Sequence, residues 1–228
     1  MAKIALALDV EDLDLAKNIL REIKDYKIIV KIGYLLFIKG GVPLIDFVKN
    51  LGFEIFLDLK LHDIPNTVYN GVRSASELGI DYLTIHALGG REMLIRAVEG
   101  KKNNLKLLAV SILTSHSDDY LDYIGTKYSL DDLVLKLAKT SLECGVDGLV
   151  SSALEVKKLK SSINKDFLAV VPGIRLDKTA KDDQNRVATP EEAVKNGADI
   201  LVIGRPILKS EDKKKTIEFI LKEIDKVK

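Results

Sequence analysis

The chain has 228 residues, 46% of them hydrophobic, with 35 basic against 34 acidic residues and a net charge of +1. So even a balance supplies no electrostatic footprint for nucleic acid or an anionic membrane, and no apolar run approaches the roughly 20 residues that span a bilayer. The single cysteine, Cys144, excludes an internal disulfide and fits a reducing compartment.

Met1-Ala2-Lys3 passes straight into a short strand, so no signal peptide is expected and the protein reads as soluble and cytoplasmic. The first strand covers 3–9 and ends in Asp9. A helix over 13–24 follows, with Asp12 as its cap. The second strand, 28–33, carries Lys31 in its interior. A helix over 43–50 is stopped by Gly52. The third strand, 53–60, runs into Asp58-Leu59-Lys60-Leu61-His62-Asp63-Ile64-Pro65, and a helix over 66–78 closes at Gly79.

A fourth strand over 82–86 ends in His86 and precedes a helix over 90–100. The fifth strand spans 105–113. The polar stretch 114–129 is too long for a plain connection and reads as a functional loop. A helix over 130–143 ends at Gly145, with Cys144 read as core. The sixth strand is 148–150, with a helix over 154–163, and the seventh is 167–171. A second polar loop covers 172–187. Thr189 and Pro190 start a helix over 190–196, and the eighth strand is 200–203. In the last helix Ile217, Ile220, Leu221, Ile224 and Val227 share one face, so Lys213, Lys214 and Lys215 read as a solvated face.

Strand followed by helix, eight times, with several strands short and apolar throughout, predicts a single (β/α)₈ barrel domain over 1–228. The alternative is a doubly wound open sheet. Against it, the turn Asp9-Val10-Glu11-Asp12 lacks the Gly-x-Gly-x-x-Gly that such a sheet uses for dinucleotides.

Barrel chemistry gathers at the C-terminal ends of the strands. There the chain places Asp9, Lys31, Asp58, Lys60, His86, Thr114, Ser115, Arg175, Gln184, Gly204 and Arg205. Singly they say little: Asp9 equally suits a helix cap, and His86 and His62 suit packing. Asp58 and Lys60, two apart, point off one face of a strand that is otherwise buried, and such burial demands partners. Lys31, Asp58, Lys60 and Asp63 form an alternating set of charges that adjacent strands could bring together. Ile203-Gly204-Arg205-Pro206 reads as a phosphate site. Gly204 admits a close ligand, the following amides open a helix, and Arg205 can fork onto phosphate oxygens.

The ordered set resembles the orotidine 5′-phosphate decarboxylases, a phosphate-binding barrel family. It comprises Ala7-Leu8-Asp9, Lys31-Ile32-Gly33, Asp58-x-Lys60-x-x-Asp63 through Thr67, Ile112 through Ser115, Pro172-Gly173-Ile174-Arg175, Asp183-Gln184 and Ile203 through Pro206. The resemblance implies a homodimer with shared active sites, no cofactor and no metal, and conversion of orotidine 5′-phosphate to UMP and CO₂. By the same resemblance Lys60 protonates C6 of the pyrimidine beside Asp58, and Lys31 orients Asp58 and contacts the ribose. Asp63, Ile64 and Thr67 would reach the partner's site. Asp9 would hold ribose hydroxyls, and Thr114 (or Ser115) would face the base. Arg175, Gln184, Gly204 and Arg205 would lie around the phosphate and Pro172 would contact the substrate, with the two long loops as lids.

These residues suit that reaction. Loss of CO₂ leaves an electron pair in the ring plane, outside the π system, so a fixed ammonium must stabilise it and then supply the proton. The nearest alternatives share Asp-x-Lys-x-x-Asp: a Mg²⁺-dependent sugar-phosphate decarboxylase or a hexulose-phosphate synthase. Those families place an acid where this chain has Lys31, and a cation there repels the metal. A catalytically silent phosphate-binding module would need Gly204 and Arg205 but not the four alternating charges.

Overall fold

The computed structural model describes residues 2–113, 116, 119–176 and 187–227. Thr114, Ser115 and Gln184 of the expected site lie outside these residues, as does most of the second long loop. Eight parallel strands close into a barrel in sequence order, with the first pairing the last through Ala5 opposite Val202.

The strands are β1 (Lys3–Ala7), β2 (Ile29–Gly33), β3 (Glu54–Leu61), β4 (Tyr82–His86), β5 (Lys106–Val110), β6 (Gly148–Val150), β7 (Leu168–Val171) and β8 (Ile200–Ile203). The first helices are α1 (Leu13–Glu22), α2 (Tyr34–Asn50), α3 (Pro65–Glu77), α4 (Gly90–Glu99) and α5 (Asp119–Tyr123). They are followed by α6 (Leu130–Glu143), α7 (Ala153–Ser162), α8 (Pro190–Lys195), α9 (Arg205–Leu208) and α10 (Lys213–Asp225). Among the described residues no helix is long and apolar enough to cross a membrane.

The apolar character of the strands on both parities has a direct cause. Successive side chains point to opposite faces, and here both faces are dry. Ile4 and Leu6 of β1, Val30 and Ile32 of β2, and Ile55 and Leu57 of β3 pack outward, into the layer beneath the helices. Ala5, Ile29, Phe56, Tyr82, Leu108 and Ile200 turn inward and fill the barrel. The same period of two, continued toward the C-terminal ends, puts Lys31 after Ile29, Asp58 after Phe56 and Thr84 after Tyr82 on the inner face.

Three connections share one device. Gly79, Gly145 and Gly197 stand just after α3, α6 and α8 with φ of 69°, 94° and 96°. Each closes its helix in a left-handed turn that L-residues with a side chain resist. Two residues later comes an aspartate whose carboxylate accepts a strand amide: Asp81 from Ile55 (2.7 Å), Asp147 from Leu107 (2.9 Å) and Asp199 from Ala169 (2.8 Å). The N-terminal rim is thereby stitched, leaving the opposite end for the site.

The structure departs from the sequence reading in four places. The helix expected at 43–50 begins at Tyr34 and breaks at Gly41 (φ 50°), before Pro43. Gly40-Gly41 resembles a loop in sequence, yet a Cβ on Gly40 would lie 2.8 Å from that of Leu44, so this glycine serves packing. Asp9 falls beyond the end of β1, and its side chain is largely exposed. The polar stretch after β5 contains the short helix α5. Cys144 is not core: it is the C-cap of α6, partly buried at the edge of the outer layer. Asp12 does cap α1, accepting from Leu15, and Thr189 caps α8 in a reciprocal box with Glu192.

Candidate active site

A cavity of about 570 Å³ opens at the C-terminal ends of the strands. Asp9, Lys31, Asp58 and Lys60, from β1 to β3, form one wall. Gly173, Arg175, Gly204 and Arg205, which follow β7 and β8, form another. Ile112, Leu113, Val150 and Pro172 supply an apolar surface between them.

Three of the four charges expected to alternate do so, with Asp9 joining them. Lys31, only 8% exposed, places Nζ 3.4 Å from Asp9 Oδ1 and 3.4 Å from Asp58 Oδ2. Lys60 Nζ lies 2.8 Å from Asp58 Oδ1. Burial pushes the Asp58 carboxyl up, but Lys31, Lys60 and the hydroxyl of Thr84 outweigh it and hold the group below its ordinary value. Asp58 therefore stays ionised in a nearly dry wall, bracketed by two ammonium groups.

Lys60 reaches this position by an unexpected route. The register between β3 and β4 shifts, so that the step from Leu57 to Leu61 on one strand matches the step from Leu83 to Ile85 on the other. Within this bulge Lys60 has φ 43°, a left-handed conformation that costs a side-chain-bearing residue about 1–2 kcal/mol. Simple alternation does not carry Lys60 past Asp58; the bulge re-aims it, as bulges beside sites do. Tyr34, at the start of α2, braces the same segment by donating to the Leu59 carbonyl at 2.6 Å.

Asp63 does not join the other three charges. It lies in the turn after β3, exposed, with its own carboxylate accepting the Ile64 amide at 2.6 Å. Ile64 (67% exposed) and Thr67 are also outside the cavity lining. His86 and His62 stack at 5.3 Å between ring centroids. Burial, then His62, Lys60 and His116, lower the His86 pKa to about 4, so it is neutral and accepts the Leu88 amide.

On the opposite wall Arg175 is buried, and its Nη1 donates to the Ile174 carbonyl at 2.8 Å. Its backbone amide bonds the Ala188 carbonyl, and Ala188 bonds back to Gly173, so 173–175 and 188 are tied together. Gly204 sits close under β1: a Cβ there would lie 3.3 Å from both Cβ and the carbonyl oxygen of Ala7, a tight fit. Arg205 opens the four-residue helix α9.

Thr84 is the contact residue that sequence reasoning missed. It is a buried β4 residue between Lys60 and Asp58. Its signal was present in the inner-face period of β4, two residues before His86. Among the described residues no group of three or more His, Cys, Asp or Glu side chains is placed to hold a metal ion.

Comparison with known proteins matches residues 2–220 to the family described as Orotidine 5'-phosphate decarboxylase / HUMPS family. The chain is 44% identical to the orotidine 5'-phosphate decarboxylase of Aquifex aeolicus, with 100% of both chains covered. It is also 44% identical to that of Carboxydothermus hydrogenoformans, covering 99% of this chain and 97% of the relative. The crystal structure of orotidine 5'-phosphate decarboxylase from Lactobacillus acidophilus superposes with a TM-score of 0.87 at 40% identity, over 99% of this chain and 100% of that one.

Proposed function

The chain belongs to the orotidine 5′-phosphate decarboxylase / HUMPS family, and on that premise we propose how its cavity works. It decarboxylates orotidine 5′-phosphate to UMP and CO₂, the closing step of de novo pyrimidine synthesis. The division of labour among the residues is our reading. The observation that carries it is the largely buried Asp58 carboxylate held between Lys31 and Lys60, in one cavity with Arg175 and Arg205.

Arg175, Gly204 and Arg205, with Gln184, receive the phosphate, and Pro172 contacts the substrate through its apolar ring. Asp9 and Lys31 take the ribose hydroxyls. The pyrimidine then lies against the apolar wall, with its C6 carboxylate beside Asp58; Thr114, outside the described residues, is assigned to the base by the family resemblance alone. Two carboxylates about 4 Å apart repel by roughly 4 kcal/mol at an effective dielectric near 20. That repulsion disappears as neutral CO₂ departs. The electron pair left at C6 faces the ammonium of Lys60, which stabilises it and then donates a proton to form the C–H bond. Lys31 holds Asp58 ionised and in place throughout.

The residues act without a metal or coenzyme in this reading. Asp9 and Asp58 are already neutralised by Lys31 and Lys60, which disfavours the Mg²⁺-dependent alternative. We further propose a cytoplasmic homodimer. Asp63, Ile64 and Thr67 are exposed and turned from their own cavity, and Tyr34, Ile38 and Ile64 offer apolar surface to a second copy.

The test is the loss of orotate-ring absorbance when orotidine 5′-phosphate is added to purified protein in EDTA. Turnover in EDTA that vanishes in Lys60→Ala, while UMP still binds, supports the assignment. An enzyme inert until a divalent ion is supplied would overturn it.

A further inference from the structure

We infer that Thr84 is a positioning residue for the decarboxylation, its one hydroxyl locking the Lys60 backbone and the Asp58 carboxylate into a closed ring. The inference rests on the roles proposed above for Lys60 and Asp58. Thr84 touches neither substrate nor the reacting atoms; it acts through those two.

The geometry is explicit. The Lys60 backbone amide donates to Thr84 Oγ1 at 2.8 Å, and Thr84 Oγ1 donates to Asp58 Oδ1 at 2.9 Å. Lys60 Nζ donates to that same oxygen at 2.8 Å. One lysine is thus held at both ends on a single carboxylate oxygen, directly through its ammonium and indirectly through Thr84. Thr84 is 1% exposed and uses its hydroxyl as both acceptor and donor.

The reason for a threonine lies in the bulge. Where β3 departs from the β4 register, the Lys60 amide points at the position of Thr84 and is met by its side chain. An unmet amide there would be costly in a part-buried site. A hydroxyl supplies the acceptor that the ladder no longer provides, and its proton is then directed at Asp58. A valine has the same shape but offers neither. Loss of this bridge frees the left-handed turn at Lys60 to relax, and the ammonium drifts from the place where C6 must be met. Displacements of this order are expensive in catalysis.

The experiment compares Thr84→Val, Thr84→Ser and Lys60→Ala in the full-length protein. Thr84→Val should lower kcat by about 10- to 100-fold, the scale of a lost hydrogen bond to a charged group, while KM and UMP affinity change less than about threefold. Asp58 is faced by Lys31 and Lys60, with Tyr34 nearby. Removing the Thr84 donor should therefore move the acidic fall of kcat to higher pH. Thr84→Ser, which keeps the hydroxyl, should restore kcat to within a few-fold. Should the valine variant not fold, Thr84→Ala is expected to show the same kcat loss.

Wild-type kcat in Thr84→Val or Thr84→Ala overturns the inference. So does a serine variant as impaired as the valine one with the pH profile unmoved, since that is the mark of packing alone. Lys60→Ala separates the two readings. If it retains turnover, the proposed site itself fails. If it is inert while Thr84→Val turns over normally, only the role of Thr84 fails.

Discussion

Lys60 Nζ rests 2.8 Å from Asp58 Oδ1 although the Lys60 backbone stands at φ 43°. The side chain is delivered by a conformation that no residue with a Cβ prefers. Lys60→Ala and Lys60→Gly should both abolish turnover, but they should differ in stability. Glycine relieves the left-handed turn, so Lys60→Gly should be more stable than Lys60→Ala by about 1 kcal/mol. For a chain of this size that is a difference in Tm of roughly 2–4 °C. Equal melting temperatures would show that the turn stores no strain.

Arg205 lines the same cavity as the reacting charges. Binding energy at the phosphate can be used at C6 through closure over the substrate. Arg205→Ala should therefore reduce kcat/KM by roughly 10- to 100-fold, the scale of lost hydrogen bonds to a charged group. Added inorganic phosphite, with the phosphate-free nucleoside as substrate, should activate wild type more than the variant. An unchanged kcat/KM in Arg205→Ala would place the phosphate elsewhere.

His86 has a pKa lowered to about 4, first by burial and then by His62, Lys60 and His116. Its unfolded value is near 6.5. Between these values the unfolded chain binds the extra proton and the folded one does not, so stability rises with pH across that window. The contribution of His86 is complete above pH 6.5 and erodes as pH falls toward 4. Denaturant titrations of wild type and His86→Gln at several pH values should show the wild type losing more stability from pH 7 to 4.5. Parallel curves would mean that His86 titrates alike in both states.

Asp147 binds the Leu107 amide at 2.9 Å and the ammonium of Lys101 at 2.5 Å, on the barrel end away from the cavity. Asp147→Ala leaves a part-buried amide without its acceptor and should cost about 1–3 kcal/mol of stability. Activity below the melting range should not change, because residues at that end of a barrel serve stability and not chemistry. A variant of normal Tm but lowered kcat would contradict that separation.

Much of the architecture could be read along the chain because its cues are local. Runs such as Ile4–Leu8 and Ile200–Ile203 are apolar at both parities, which only a strand covered on both faces requires. Helix ends were readable at Asp12, Thr189 and Gly145, since caps act within three or four residues. The first half of α2 was not, because Gly40-Gly41 interrupts it and the need for Gly40 comes from contacts with Leu44 and Leu13.

The residue types of the site belong to the sequence by itself: Asp58, Lys60 and Asp63 follow a spacing, and Lys31, Gly204 and Arg205 stand at strand ends. Tertiary structure alone decided how they meet. Pairing of β2 with β1 on one side and β3 on the other sets Lys31 against both Asp9 and Asp58, and a two-residue slip between β3 and β4 turns Lys60 toward Asp58 through Thr84 while leaving Asp63 outside. The physical reason is that strand register is a relation between distant segments. It is settled by which side chains can be buried together and which amides find acceptors, and neither can be counted along one strand.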